Sequence, residues 1–368
     1  MTDTDSLVIK YWGVRGSVPA PLTSKEIKEK EQELIDSVRI EDIEEDYSRK
    51  VGDNCYLDGQ KIVKHFGSGT NPSSHLTRVY GGNTTCIEVQ AKDSPLMIID
   101  AGTGIRDLGN DLLGKLFSGK NLNPLSSNEK TKKDIHLFFT HYHWDHLQGF
   151  PFFAPTFISG DKAVKINFYG KQDARQRLSE VLKGQQQYPN FPVEWEDIAC
   201  DKEYRELGRM NPSPISLGKE NPVIIEYREL DHPDRSFGYS FEVNGKKFAC
   251  ATDTEHRDIV DPNVLFLAKD ADVLYYDGQY TPEEYCGKVG FPRVRWGHST
   301  YEWGVKSALA ANAKKLVLGH HEPARDDAGL KALEYRAEIF RDEQLELPEN
   351  KDKKLEVEMA YEGLEQRL

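Results

Sequence analysis

The chain has 368 residues, with 48 lysines and arginines against 61 aspartates and glutamates, so its formal net charge is −13. Hydrophobic residues make up 38% of the chain, which is enough for a large folded core and too much for a disordered protein. The negative charge argues against a protein that wraps long nucleic acid, because neutralising a phosphate backbone requires a basic face.

The N-terminal residues and the cysteines indicate a compartment. Residues 1–6 lack the basic and apolar regions of a signal peptide. No run approaches the roughly 18 consecutive apolar residues that a transmembrane helix needs. The five cysteines are scattered and form no CxxC pair, a pattern typical of reduced thiols. We therefore expect a cytoplasmic protein that has no contact with a membrane.

Short runs rich in β-branched and aromatic residues predict strands. In chain order these runs are Leu7–Tyr11, Thr85–Val89, Pro95–Asp100, Ile135–Thr140, Val164–Tyr169, Val223–Tyr227, Phe237–Val243, Lys247–Thr252, Val273–Tyr276 and Lys315–Leu318. Helical periodicity predicts helices at Asp173–Lys183, Tyr301–Ala311 and Ala328–Ile339. The mixture predicts an α/β fold in which two sheets are sandwiched between helices.

Residues 22 to about 76 differ from the rest of the chain and predict an insertion folded onto the main body. Thr23 to Glu26 form a capping-box pattern that begins a charged helix, with Ile27, Leu34 and Val38 on one stripe. A run rich in Gly, Ser and Asn follows at residues 67–74. The segment is either a solvated helix with a loop, or a lid or dimerisation element beside the active site.

The strongest chemical signal is the run HYHWDH at residues 141–146, directly after a predicted strand. Imidazole and carboxylate ligands together suit Zn, Mn or Fe(II). His141 and His143 point the same way in an extended turn and can hold one ion, while Asp145 and His146 can face a second. The remaining ligands must come from elsewhere in the chain. Candidates stand where other predicted strands end, at Asp231-His232-Pro233, Thr252-Asp253-Thr254 and Gly319-His320-His321.

Together these residues resemble the metallo-β-lactamase superfamily, whose hallmark is HxHxDH. The segments Tyr80–Cys86 and Asp100–Gly104 resemble the family's preceding strand and turn, and Trp296–Thr300 is similar to an element of its ribonuclease Z and phosphodiesterase branch. Gly13–Pro19 and Leu147–Phe153 are similar to a bacterial phosphodiesterase-like subgroup. The resemblance implies an αββα sandwich of two mixed sheets flanked by helices. It also implies a single domain over residues 1–368, although the inserted segment at about 22–76 departs from the family pattern.

The resemblance further implies ligands for two divalent transition-metal ions, with zinc expected and manganese or iron as alternatives. They are His141, His143 and His232 for the first ion, Asp145, His146 and His320 for the second, and Asp253 bridging both. His321 stays open as an alternative to His320, and Asp231 or Asp234 as competitors of His232. Asp100 is expected to support the metal loop rather than to bind an ion.

The resemblance also implies a reaction mechanism. A hydroxide activated by two metal ions would attack the substrate, and His298, paired with Asp277, would protonate the leaving alkoxide as a general acid. Asp145 counts among the catalytic residues as well as the ligands. The expected protein is a hydrolase, a phosphodiesterase acting on a small nucleotide, with 3′,5′-cyclic nucleotides as one candidate substrate. By the same resemblance we expect a homodimer.

Three alternatives remain open at this point. The first is hydrolysis of a carboxylic ester, thioester or lactone, which a dinuclear centre can perform without His298. The second is endonucleolytic processing of transfer-RNA 3′ ends, which the acidic charge disfavours. The third is a regulatory sensor that keeps the metal. The aromatic residues Trp144, Phe150, Phe152 and Phe153 are expected to pack a helix after the metal loop, with base stacking as the alternative.

Overall fold

The computed structural model describes residues 6–37, 48–51, 54–57, 79–173, 176–210, 212–218 and 221–368. The strands in chain order are β1 (Leu7–Gly13), β2 (Ser48–Val51), β3 (Asn54–Leu57), β4 (Cys86–Ala91), β5 (Leu96–Ile99), β6 (Asp134–Phe138), β7 (Lys165–Lys171), β8 (Asp201–Leu207), β9 (Ile215–Leu217), β10 (Val223–Leu230), β11 (Ser236–Val243), β12 (Lys246–Ala251), β13 (Val273–Asp277), β14 (Lys315–Gly319), β15 (Glu356–Met359) and β16 (Glu365–Arg367). The α-helices are α1 (Ser24–Ser37), α2 (Ile105–Phe117), α3 (Leu178–Gln185), α4 (Pro262–Ala268), α5 (Pro282–Tyr285), α6 (Tyr301–Ala310) and α7 (Asp327–Leu345). Short 3₁₀ helices lie at Trp144–His146, Phe150–Phe152, Ala154–Phe157, Gly160–Lys162, Trp195–Asp197 and Pro348–Asn350.

The described strands form two seven-stranded sheets and a separate β2–β3 pair. The first sheet has the order β16-β1-β4-β5-β6-β7-β8 and the second the order β15-β14-β13-β12-β11-β10-β9. Each sheet joins antiparallel strands on one side to parallel strands on the other, with β5 to β8 parallel in the first and β12 to β15 parallel in the second. The predicted sandwich of two mixed sheets is confirmed.

Among the described residues, three apolar clusters hold the layers together. One lies between the sheets, where the Phe138 ring meets the Phe241 ring edge-on with centroids 5.6 Å apart. A second joins the second sheet to α4, α6 and α7, and a third joins the first sheet to α2 and α3. Each large apolar side chain buried in this way stabilises the fold by roughly 1.5–3 kcal/mol. This packing fixes the strand ends that carry the site.

Some predicted boundaries are wrong. The helix predicted at Asp173–Lys183 begins only at Leu178, because the Arg177 N–H donates to the Glu180 carboxylate at 2.9 Å and so caps the first turn. It also continues past the predicted end at Lys183, as far as Gln185. The last helix is longer than predicted at both ends, and α2 was not predicted although it buries a continuous apolar face.

The helix predicted at the start of the insertion is confirmed as α1. The Thr23 N–H donates to Glu26 Oε2 at 2.7 Å and the Glu26 N–H donates to Thr23 Oγ1 at 3.3 Å, so the capping box is present. Lys30 Nζ lies 2.6 Å from Asp327 Oδ2, which holds α1 against the start of α7. Val38 and residues 67–74 lie outside the described residues. The role of the insertion, the one-domain organisation and the homodimer stay predictions.

Among the described residues, no helix combines the length and the apolar character needed to cross a membrane.

Candidate metal centre

Strand ends bring the predicted ligands together. His141 follows β6 of the first sheet, while His232, Asp253 and His320 follow β10, β12 and β14 of the second sheet. In the second sheet, these three strands run in the same direction, because β10 and β12 are both antiparallel to β11 and the next strands are parallel. Their carboxyl ends therefore lie at one edge, and the loop after β6 meets them there.

The first group consists of His141, His143 and His232, whose ring nitrogens are close enough to share one ion. The ring centroids lie 4.4 Å apart for His141 and His143, and 4.7 Å apart for His141 and His232. His141 is fully buried, whereas 44% of the His143 side chain is exposed and its Nε2 lies 2.8 Å from Asp234 Oδ2. The group thus has one side open to solvent.

The second group consists of Asp145, His146 and His320, and all three are buried. Asp145 Oδ2 lies 3.3 Å from Nε2 of His146 and 3.3 Å from Nε2 of His320. The same oxygen accepts a hydrogen bond from the Ser17 N–H at 2.8 Å. The carboxylate is therefore held facing the two imidazoles.

Asp253 lies between the two groups. Its Oδ1 is 3.8 Å from His141 Nε2 and 3.3 Å from His320 Nε2, and its Oδ2 is 3.3 Å from His146 Nε2. One carboxylate thus faces histidines of both groups, which is the arrangement required of a bridging ligand.

The residues present fit metal ions. The Nε2 atoms of His141, His146, His232 and His320 are buried, and among the described residues they have no hydrogen-bond partner. A buried polar atom without a partner costs on the order of 1–3 kcal/mol. One divalent cation in each group would satisfy these nitrogens, His141 and His232 in the first and His146 and His320 in the second, and imidazole with carboxylate is a donor set that suits zinc.

The two ligand groups also differ in the protonation of their histidines. Burial lowers the pKa of His141 well below its ordinary value, and burial together with neighbouring imidazoles lowers the pKa of His232 to about 4. Both rings are therefore neutral, the form that binds metal. Burial alone would also lower the pKa of His320, but the carboxylates of Asp253 and Asp145 outweigh it and raise the pKa to about 9. The second group therefore concentrates negative charge that a cation would balance.

Outer residues orient the ligands. Asp100 Oδ2 lies 2.7 Å from His146 Nδ1, and its Oδ1 accepts the Thr140 N–H at 2.8 Å. Gln279 Oε1 lies 3.1 Å from His320 Nδ1. Asp100, Asp253 and His320 all adopt left-handed backbone, with φ of 60°, 55° and 56°. Asp100 occupies the supporting position expected of it, since its carboxylate contacts the far nitrogen of His146.

The geometry distinguishes between the alternative metal ligands that the sequence left open. His321 Nε2 donates to the carbonyl of Ala360 at 2.7 Å, so that ring is directed away from the two groups. Asp231 accepts from Arg257 Nη2 at 2.9 Å, and Asp234 pairs with His143. These contacts favour His320 and His232 as the ligands.

His298 and Asp277 lie beside both groups. His298 Nδ1 is 2.8 Å from Asp277 Oδ2, and the His298 ring centroid is 4.8 Å from that of His320. Asp277 is fully buried and accepts the backbone N–H groups of Asp253 at 3.1 Å, and of Gln279 and Ser299 at 3.2 Å each. The pair predicted from the sequence is therefore formed, and the carboxylate is fixed from several sides.

Glu255 is a site residue that sequence reasoning missed. Its side chain is buried and accepts the backbone N–H groups of Arg295 at 2.6 Å and Gly297 at 3.1 Å, together with the Tyr285 hydroxyl at 2.6 Å. It holds the segment that leads into His298. A lone glutamate two residues after Asp253 carries no pattern, although its place at the end of a β-run was a usable signal.

The prediction for the aromatic residues after the metal loop is half wrong. Phe150 and Phe153 are buried, but they pack against the first sheet and α2, a helix that precedes the metal loop rather than following it. Trp144 is 69% exposed and Phe152 is 58% exposed, so neither packs a helix. The segment turns in short 3₁₀ helices, in which successive side chains point outwards in different directions.

Comparison with known proteins gives a consistent result. A family profile described as "Beta-lactamase superfamily domain" matches residues 97–321. Ribonuclease Z of Prochlorococcus marinus strain MIT 9515 is 25% identical over 240 residues, covering 54% of this chain and 74% of that protein.

Solved structures share the fold at low sequence identity. The metallo-β-lactamase fold protein YhfI of Bacillus subtilis superposes with a TM-score of 0.53 at 14% identity, covering 99% of this chain and all of that one. Unliganded yeast PDE1 gives a TM-score of 0.53 at 13% identity, with the same coverage. The family profile spans more than half of the sequence and includes every proposed ligand, and on that basis the chain belongs to the metallo-β-lactamase superfamily.

Proposed function

We propose that the chain is a metal-dependent phosphodiesterase that uses His298 as the general acid. The observation that carries this proposal is the 2.8 Å contact between His298 Nδ1 and Asp277 Oδ2 beside the two ligand groups. Cleaving a phosphodiester expels an alkoxide, which leaves more easily when a positioned acid protonates it. Hydrolysis of an ester or lactone at two metals does not require this pair.

The metal ligands follow the two groups of the site. We assign His141, His143 and His232 to the first ion, Asp145, His146 and His320 to the second, and Asp253 to both. The chemistry that two divalent ions supply in such a site is activation of water near neutral pH and neutralisation of charge on the phosphate. Zinc is the proposed metal because of the imidazole and carboxylate donors.

Asp277 prepares His298 for its role. Because three backbone N–H groups fix the carboxylate, its Oδ2 holds Nδ1 of His298 in one orientation. Nε2 is then the nitrogen that delivers a proton to the leaving group. The His298 side chain is 12% exposed, which leaves one approach to it open.

The proposed substrate is small, and a 3′,5′-cyclic nucleotide is the leading candidate. A chain of net charge −13 repels a long polyanion, while a small diester meets only the local field of the site. The relatives named ribonuclease Z support a second candidate function, endonucleolytic cleavage of RNA. Direct competition between a cyclic nucleotide and a 3′-extended transfer RNA at two salt concentrations separates the two.

A substrate panel tests the reaction class. Zinc-loaded protein is assayed with bis-p-nitrophenyl phosphate, cyclic nucleotides, a lactone and the β-lactam nitrocefin. We expect hydrolysis of the phosphodiesters alone. Efficient lactone hydrolysis without phosphodiester cleavage would replace the proposal with the ester class. RNA cleavage that falls steeply with rising salt would favour the endonuclease.

The acid is tested with His298→Ala. We expect the variant to keep its metal and to lose kcat by roughly 10²–10⁴-fold on substrates with an alkoxide leaving group. A p-nitrophenolate leaving group needs little protonation, so its loss should be much smaller. Asp277→Asn should reproduce the same contrast more weakly. Equal losses on both substrates would show that His298 binds or folds rather than donates a proton.

A further inference from the structure

One edge of the site is an aromatic and cationic surface that the proposed reaction leaves without a role. Trp296, two residues before His298, is 55% exposed, and Phe291 is 80% exposed. Large aromatic side chains exposed next to a candidate catalytic centre are typical of ligand contacts rather than of ordinary surface. Arg293 lies between them in sequence.

A continuous row of side chains connects this surface to His298. The Tyr280 ring centroid lies 6.0 Å from that of His298. The guanidinium carbon of Arg293 lies 5.6 Å from the Tyr280 centroid and 4.9 Å from the Trp296 centroid. Gly297 brings the same segment against the first ligand group, because a Cβ at this position would overlap the His232 ring. Trp296 and Arg293 therefore stand beside the place where the leaving group would depart.

The guanidinium of Arg293 has no carboxylate partner among the residues that the structure describes. Its side chain donates to the Phe291 carbonyl at 2.6 Å and to the Tyr280 hydroxyl, and it lies over the Tyr280 and Trp296 rings. Two other arginines of this region do have such partners, in the Arg325–Glu284 pair at 2.6 Å and the Arg336–Glu283 pair at 2.9 Å. In a chain with more acidic than basic residues, a guanidinium left without an acid beside the site is suited to an anionic ligand.

The surface is held in one arrangement. Glu255 accepts the N–H groups of Arg295 and Gly297, on either side of Trp296. The Arg293 N–H donates to the Tyr285 carbonyl at 2.9 Å. A ligand that binds here would order few groups, which favours affinity.

We propose that Trp296 and Arg293 form a nucleotide-binding platform, in which a nucleobase stacks on the free face of the indole and a phosphate pairs with the guanidinium. Arg293 covers one face of the indole, and the exposed remainder offers a surface for a base. The platform rests on the proposed function and narrows its substrates to phosphodiesters that carry a nucleoside. It distinguishes them from simple alkyl phosphodiesters.

Two ligands, one with a nucleobase and one without, separate the contribution of the base to binding from that of the phosphate. Binding of adenosine 5′-monophosphate and of ribose 5-phosphate to the zinc-loaded protein is measured by calorimetry. Trp296→Ala should weaken binding of the nucleotide roughly 10-fold and leave ribose 5-phosphate unchanged, since only the nucleotide can stack. Arg293→Gln should weaken both ligands.

Phe117 provides a matched control. It is 59% exposed and has a lysine, Lys162, with its Nζ 4.9 Å from the ring centroid, but it lies at the end of α2 away from the ligand groups. Phe117→Ala removes an exposed aromatic with a stacked cation and should change neither affinity.

The outcomes separate the platform from the proposed function. The platform is wrong if the wild-type protein does not bind the nucleotide, if Trp296→Ala leaves its affinity unchanged, or if both ligands weaken equally in that variant. Absence of any phosphodiester hydrolysis by the wild-type protein would overturn the proposed function instead. A selective loss of nucleotide affinity in Trp296→Ala would support the platform even then.

Discussion

The two proposed metal positions share Asp253 but differ in their surroundings. At the second position, the side chains of Asp145, His146 and His320 are at most 9% exposed. At the first position, 44% of the His143 side chain is exposed, and its partner Asp234 is 54% exposed. One position is enclosed by the protein, whereas the other faces the solvent from which a substrate arrives.

The supports of the two positions differ in the same way. At the enclosed position, Asp100 and Gln279 contact the far nitrogens of His146 and His320, and both supports are buried. At the open position, the contact of His143 to Asp234 competes with water. We therefore expect the ion at the enclosed position to act as a structural anchor and the ion at the open position to exchange during the reaction.

The largest effect is expected from Asp253→Asn, because it acts on both positions. Asparagine accepts the left-handed backbone but offers only one oxygen and no negative charge, so it cannot bridge. We expect both ions to be lost and activity to fall by more than roughly 100-fold, beyond what outer residues cause. Elemental analysis of the purified variant measures the metal.

The matched control for that change is His232→Ala, which should remove only the ion of the open position. About one ion per chain should remain. If Asp253→Asn keeps one tightly bound ion while His232→Ala loses both, the assignment of the bridging residue is wrong.

A smaller effect is expected from the carboxylates that contact the histidine ligands, Asp100 and Asp234. Their substitution tests directly whether the enclosed and open positions differ. Asp100→Asn should weaken metal binding at the enclosed position by roughly 10- to 100-fold, because a buried partner of His146 loses its charge. Asp234→Asn should change affinity by less than about 3-fold, since exposed pairs contribute little. Titration with a zinc-chelating dye reads both constants. Equal effects of the two substitutions would remove the distinction between anchor and exchangeable position.

The smallest effect is expected from Glu255→Gln, which should leave both positions loaded. The glutamine has one acceptor oxygen for three donors, so the segment from Arg295 to His298 loses part of its anchoring. We expect kcat to fall about 3- to 10-fold on substrates with an alkoxide leaving group, as for one lost hydrogen bond, and less with p-nitrophenolate. An unchanged ratio between the two substrates would show that Glu255 supports the fold rather than the position of His298.

Much of the fold could be predicted because its central strands are apolar. Runs such as Pro95–Asp100 and Ile135–Thr140 are buried on both faces, and that burial requires the continuous hydrophobic pattern that reveals them. The edge strands β8 and β16 were missed because their sequences, DKEYREL and EQR, are charged. A charged edge protects a sheet from pairing with other chains. The same charges remove the hydrophobic pattern by which a strand is predicted from sequence.

The site also contains residues that the sequence reveals and residues that it does not. The ligands could be found because three histidines and an aspartate lie within six residues at a strand end, and the family resemblance supplied the rest. The resemblance favoured His320 over His321, but the hydrogen bond that separates them, from His321 Nε2 to the Ala360 carbonyl, could not be predicted from two adjacent histidines. Glu255 and Gln279 were missed because their partners lie about 40 residues further along the chain, Arg295 and Gly297 for Glu255 and His320 for Gln279.

The left-handed backbone at Asp100, Asp253 and His320 has a consequence for mutational libraries of this chain. At φ between 55° and 60°, side chains branched at Cβ are strained, whereas glycine and asparagine are accommodated. Libraries sorted only for folded protein should therefore be enriched in glycine and asparagine at all three positions. Libraries sorted for turnover should return the native residues. The two selections should therefore enrich different amino acids at these three positions.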